Sequence, residues 1–120
     1  MTRTSRVEVD LGRGIRFLQR LAQYDLNMQL STALTLLYIA QHQNRPEGVT
    51  TMDLTRNLGL TQGAASRNGY YWGEGTPDMP NAGYGLVTQT IDTKDRRRRL
   101  LTLTPRGEAF VRQLEEVLYG

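Results

Sequence analysis

The densest chemistry in this chain is a run of charge. Residues 92–99 read DTKDRRRR and hold five cations, Lys94, Arg96, Arg97, Arg98 and Arg99, against Asp92 and Asp95. The octet's net charge of +3 equals that of the whole chain, so the remainder is balanced. A local cluster of guanidinium and ammonium groups is a footprint for phosphate, because each neutralised phosphate releases condensed counterions. A solvated turn has the same composition, and for charge runs in general it is the commoner reading. Little else here can do chemistry. With no cysteine there is no disulfide, thiolate nucleophile or thiol redox sensor. The one histidine, His42, has no carboxylates clustered beside it to complete a zinc site. No convergent carboxylate pair offers acid–base work. Neither an enzyme activity nor a metal or cofactor is therefore expected.

The surrounding elements decide between the two readings of the charge. A length of 120 residues suits one domain. Leu11, Ile15, Leu18 and Ala22, spaced by four, three and four, predict an amphipathic helix over residues 11–24. Phe17, Leu21 and Tyr24 widen its apolar stripe, Arg13, Arg16 and Arg20 lie on the wet side, and Gly12 and Gly14 should fray its start. Ser31 can cap a second helix over 32–43, apolar nearly all round and so destined for the middle of the core. Pro46 and Gly48 end it. Val49 and Thr50 form a very short strand, and Thr50 with Asp53 resembles a capping box. A helix over 52–58 stops at Gly59; Leu60 is an apolar plug, and Thr61 caps a further helix over 62–72. That sequence of elements is a helix-turn-helix. Residues 73–85, with four glycines and two prolines, read as a loop. Tyr70, Tyr71, Trp72 and Tyr84 bracket it and can anchor it on the core, line a small-ligand pocket, or touch DNA. Residues 86–92 and 99–104 then read as strands joined by a tip at 93–98. Thr104 caps a last helix with Pro105 at its first position. The expected fold is α+β, mainly α: a winged helix-turn-helix with a two- to three-stranded antiparallel β-wing. It forms one domain, 1–120, with a core at 30–104 between terminal helices at 1–29 and 105–120.

In that architecture the octet is the tip of the wing, beside a recognition helix. A cationic tip there reaches the minor groove of double-stranded DNA and its flanking phosphates. This favours the phosphate reading for Lys94, Arg96, Arg97 and Arg98. On the helix, Ala65 and Trp72 should face inward, which turns Gln62, Ser66, Arg67 and Tyr70 outward. Arg67 suits a bidentate contact to guanine and Gln62 one to adenine; contact with phosphate alone is the equal alternative for Arg67. Gly63 lets the helix approach the groove. Thr50, Thr51 and Thr61, at helix starts, suit phosphate contacts through hydroxyls and backbone N–H groups, or plain capping.

The stretch DTKDRR followed by LLTLTPRG resembles the wing signature of the MarR family of winged-helix transcriptional regulators, Asp-x-Arg-Asp-x-Arg and then Leu-Thr-x-x-Gly leading into the next helix. Asp92, Lys94, Asp95 and Arg97 occupy the signature positions, and the resemblance spans about residues 31–107. It implies a regulator, a repressor by expectation, that binds a palindromic operator as a homodimer. It also implies an ion pair bracing the wing between Arg97 and Asp92 or Asp95. Carried over from the family, the dimer interface lies on the terminal helices at Leu11, Ile15, Leu18, Phe110, Leu114, Val117 and Leu118; closing the protomer's own core is the alternative use of these stripes. A small-molecule effector is known in the family, but no charged pocket motif shows one here. This chain departs from the pattern in four ways. Lys94 replaces the groove-inserting arginine and lacks its planar fork. Asn68 stands where the family has an apolar residue. Gly63 and Gly69 weaken the recognition helix, and loop 73–85 is longer than the usual link to the wing.

Two other functions remain compatible with the residues: a winged-helix protein-interaction module, and a DNA-binding replication or partition protein of a mobile element. No apolar run reaches the roughly 18 residues of a membrane span, and residues 1–10 lack the apolar core of a signal peptide. No membrane partner and a cytoplasmic location are expected.

Overall fold

A computed structural model describes residues 3–78 and 82–120. Eight elements follow one another: α1 (Arg3–Ala22), α2 (Leu30–Gln41), β1 (Val49–Thr50), α3 (Thr51–Leu58), α4 (Gln62–Trp72), β2 (Val87–Ile91), β3 (Arg99–Leu103) and α5 (Pro105–Tyr119). The strands form one antiparallel sheet in the order β1-β3-β2. Val49 lies opposite Leu101, and Val87 opposite Leu103. This alternation sends Val49, Val87, Leu101 and Leu103 inward, as the period of two along a strand requires.

The helix boundaries follow from their caps. Thr50 and Asp53 close a reciprocal capping box: Thr50 Oγ1 accepts from the Asp53 N–H at 3.2 Å, and the Asp53 carboxylate accepts from the Thr50 N–H at 2.9 Å. Gly59 takes φ +70°, a left-handed conformation that only glycine adopts cheaply, and so turns the chain from α3 toward α4. Thr61 Oγ1 accepts from the Ala64 N–H at 3.1 Å, and Thr104 Oγ1 from the Gly107 N–H at 3.0 Å. Each places a side-chain acceptor on a donor that the helix start leaves orphaned.

Two expectations fail at the first helices. α1 does not fray at Gly12 and Gly14 but runs back to Arg3. Each glycine costs about 1 kcal/mol against alanine, and neither interrupts a helix that packs on α5 farther along. Ser31 is not the cap of α2. The helix starts two residues earlier than expected, at Leu30, its N-cap Gln29 makes no side-chain cap bond, and the Ser31 carbonyl accepts from Thr35 Oγ1 at 2.8 Å.

The core is built on α2, whose Leu36 and Ile39 are fully enclosed together with Leu54, Ala65, Trp72 and Leu86. α5 closes one side of it. Phe110 and Leu114 are 4% and 2% exposed within the single chain, so they are core residues and not available to a partner. This corrects their assignment to an interface: the face of α5 that carries them is used up by the protomer. Leu11, Ile15 and Leu18 are more than half exposed, Leu118 is exposed, and Val117 is half-buried beside Arg16 and Arg20 of α1. The exposed apolar surface also includes Leu26 and Leu30, which with Ile15 and Leu18 line a groove of about 350 Å³ between α1 and α2.

The long loop is folded onto itself. The N–H groups of Gly83, Gly85 and Leu86 donate to the carbonyls of Tyr71, Gly73 and Trp72 at 2.9, 2.9 and 2.8 Å. Gly83, at φ +89°, comes so close to Glu74 that a Cβ would sit 2.7 Å from its carbonyl oxygen. The rings of Tyr71, Trp72 and Tyr84 pack with Tyr24 and Phe110 at centroid separations from 4.7 to 5.9 Å, the range of favourable aromatic pairs. Tyr84 Oη donates to the Tyr24 carbonyl at 2.9 Å. Of the three roles open to the aromatics, Tyr71, Trp72 and Tyr84 take the first, anchoring the loop on the core; its residues 79–81 lie outside the described residues.

Candidate nucleic-acid interface

α4 turns one face to the core and one to solvent. Ala65 and Trp72 are buried as its spacing requires, while Gln62, Gly63 and Arg67 are exposed and Ser66 and Tyr70 half-buried. A Cβ at Gly63 would meet nothing within 4 Å, so that turn offers bare backbone to whatever approaches. Thr61 combines exposure with its capping bond. Thr50 is buried, with its hydroxyl engaged in the capping box, and Thr51 is half-buried at the first position of α3. Capping is thus the role the structure shows for Thr50.

The wing tip is held by its own acids. Asp92, buried, accepts the Lys94 N–H at 2.9 Å on one oxygen and lies 3.3 Å from Arg98 Nη1 on the other. Asp95 accepts the Arg97 N–H at 3.1 Å and Arg97 Nε at 3.3 Å. The backbone N–H of Arg97, with its guanidinium second, holds the Asp95 carboxyl below the usual carboxylate range. The two ion pairs are therefore Asp95 with Arg97 and Asp92 with Arg98. The first is one of the two pairings the wing signature implied; the second was not foreseen. Arg98 also donates from Nη2 to the Glu47 carbonyl at 3.3 Å, tying the tip to the turn before β1. Glu47 is paired in turn with Arg45, which reaches Asp53 at 3.4 Å. Arg97 differs from Arg98: its side chain is 93% exposed. Lys94, Arg96 and Arg99 are exposed as well.

These two parts meet in one cleft of about 390 Å³, lined by Thr50, Thr51, Met52, Gln62, Asp95, Arg97, Arg98 and Arg99. The starts of α3 and α4 form one wall and the arginines of the wing the other. Helix starts present unsatisfied N–H groups and the positive end of the helix dipole, so the helix starts and the wing arginines both favour anionic groups. Of the residues expected at the interface, Thr50, Thr51, Gln62, Arg97 and Arg98 are brought together here. Thr61, Gly63, Ser66, Arg67, Tyr70, Lys94 and Arg96 lie outside the cleft lining, on α4 and its start and on the wing tip. Met52 and Arg99 were missed. Arg99 was within reach of the sequence, since it ends the arginine run and opens β3 opposite Ile91; nothing in the local pattern marks Met52.

No protein-family model matches the sequence, and no curated protein matches it. Solved structures do. A Staphylococcus aureus MepR mutant bound to an oligodeoxyribonucleotide superimposes with a TM-score of 0.67 at 21% identity, covering 98% of this chain and 77% of that one. RV1404 from Mycobacterium tuberculosis gives 0.57 at 24% identity, over 98% and 74%. A MarR transcriptional regulator from Methanosarcina mazei Go1 gives 0.56 at 15%, over 97% and 73%. At these identities the likeness is one of architecture, and it covers nearly the whole chain. From its first helix to its last, the chain has the winged-helix fold of the MarR-type regulators.

Proposed function

We propose that this protein is a MarR-type transcriptional regulator that binds double-stranded DNA sequence-specifically, acting as a repressor on a palindromic operator as a homodimer. One observation carries the reading: the starts of α3 and α4 and three wing arginines converge on a single cleft of about 390 Å³, directly beside an outward α4 face bearing Gln62, Ser66, Arg67 and Tyr70. α4 enters the major groove, with Arg67 and Gln62 at base edges. Lys94, Arg96 and Arg97 follow the adjacent backbone and minor groove. Arg98, engaged with Asp92 and Glu47, holds the tip at its working angle. Thr51, Thr61 and Gly63 bring backbone N–H groups to phosphate. The DNA seen on a MepR neighbour supports the same use of this fold.

The homodimer forms through Leu11, Ile15, Leu18 and Leu118, with Val117 at its edge; the exposure of Leu26 and Leu30 in one groove with Ile15 and Leu18 supports including them. An apolar groove such as that of Ile15, Leu18, Leu26 and Leu30 is what an isolated chain avoids leaving bare. Selection of bound duplexes from a random pool tests the proposal. The expected result is two inverted half-sites centred about 10 base pairs apart, or a multiple of that spacing. Recovery of no duplex, with binding to a protein partner instead, would establish the interaction-module reading.

A further inference from the structure

The recognition helix is seated on α2 through a buried amide. Asn68 of α4 is buried, and both its amide atoms are hydrogen-bonded. Oδ1 accepts from Thr32 Oγ1 at 3.0 Å; Nδ2 donates to Thr35 Oγ1 at 3.2 Å and to the Ser31 carbonyl at 3.4 Å. Thr32 and Thr35 are buried as well, and Trp72 Nε1, one turn farther along α4, donates to the Thr32 carbonyl at 2.8 Å. Every one of these partners lies in the first half of α2. The next residue of α4, Gly69, meets the wing: a Cβ there would fall on the Gln89 side chain and 3.2 Å from Leu101 Cδ2. Adjacent residues thus key α4 to α2 on one side and to the wing strands on the other.

We propose that Asn68 is a positioning residue that fixes the rotation of α4 about its axis, and so sets which base edges Gln62 and Arg67 reach; this rests on the DNA-reading function proposed above. An aliphatic side chain in the same socket holds through contacts without direction and tolerates small rotations. An amide with three hydrogen bonds does not, because those bonds weaken steeply off axis and a buried group that loses its partner bears its full desolvation cost. The leverage is large: with side-chain ends about 5–6 Å from the axis, a turn of about 10° moves them about 1 Å, enough to spoil a bidentate base contact. Buried polar residues that specify register are known from other helical assemblies.

The test compares Thr32→Val, which keeps volume and loses the hydroxyl, with Thr32→Ser, which keeps the hydroxyl and loses a methyl group. Asn68→Leu/Thr32→Val/Thr35→Val, which makes the whole seat apolar without orphaning a partner, is the third variant. For each, the ratio of dissociation constants for scrambled and selected duplex is measured beside the thermal midpoint. Thr32→Val and the triple variant should lower the ratio at least about fivefold, the lower end for one bidentate base contact, with scrambled-duplex affinity unchanged. Thr32→Ser should keep the wild-type ratio even where its midpoint falls. A wild-type ratio in Thr32→Val, or ratios that simply follow the midpoints, would overturn the positioning role. A wild-type protein that does not discriminate the two duplexes would instead overturn the DNA reading itself, and with it this role.

Discussion

The wing tip and the outer face of α1 are both left bare, and they expose opposite things. The tip shows Lys94, Arg96 and Arg97, charges that water solvates at no cost and that attract a polyanion from a distance. α1 shows Leu11, Ile15 and Leu18, whose exposure costs about 25 cal/mol per Å² until something apolar covers it. The first surface is complementary to a partner whose grip weakens with salt, the second to one whose grip does not. Between them lies the protomer's only enclosed core among the described residues, to which α5 gives Phe110 and Leu114. In the function proposed above, one face reads the ligand and the other assembles the reader.

The sharpest way to break this contrast is to charge the apolar face. Ile15→Asp/Leu18→Asp should raise the dimer dissociation constant about a hundredfold or more, since each buried carboxylate loses its water. Sedimentation should then show monomer, at low and high salt alike, while the protomer stays folded. A dimer of unchanged strength would return these stripes to an unassigned surface. The next effect lies at the seam between wing and terminal helix. A Cβ added at Gly107 would fall on the Leu86 carbonyl oxygen and 3.2 Å from Leu103 Cδ2. Helix propensity alone predicts that Gly107→Ala stabilises α5 by about 1 kcal/mol. The contact predicts the reverse, a loss of about 1–3 kcal/mol from overpacking, read by denaturant unfolding. The smallest effect tests the aromatic cluster. Burial, then the Tyr84 hydroxyl, hold the Tyr71 phenol above its ordinary pKa of 10.0, and its Oη donates to Asp25 at 3.1 Å. A raised value means stability that is complete below about pH 10 and is lost as pH rises toward the folded-state value. Tyr71→Phe should therefore flatten the fall of the thermal midpoint above pH 10; an unchanged alkaline limb would contradict the burial of this ring.

How much of this was legible in the sequence depends on the range of the forces involved. Caps are local. Thr50 with Asp53, Gly59, Thr61 and Thr104 with Pro105 mark their boundaries within four residues, and the hairpin follows from alternation around a charged tip. What a helix faces is not local. The stripe on α5 reads the same whether Phe110 and Leu114 meet their own core or a second copy, and only the packing separates them. Gly12 and Gly14 favour fraying by propensity, yet the helix runs through them. Ser31 has the right chemistry for a cap, but the helix begins before it. Asn68 reads as a defect in an apolar pattern until the hydroxyls of Thr32 and Thr35, more than thirty residues away in sequence, come to meet it. In the wing, the signature supplied the residue types of the ionic brace, and the register of the tip assigned Arg98 to Asp92 and Arg97 to Asp95.

The central claim is that the α4 face and the wing hold one duplex together by different means. Its most direct test is a titration of the selected and the scrambled duplex over a range of salt, with wild type, Arg67→Ala and Arg96→Ala/Arg97→Ala. Arg67→Ala should cost about 1–3 kcal/mol on the selected duplex alone and leave the salt slope unchanged. The wing variant should weaken both duplexes and flatten the slope of log affinity against log salt by about 0.9 for each phosphate it no longer neutralises. A wild-type protein that ignores duplex DNA in dilute buffer, or a wing variant with an unaltered slope, would contradict the account.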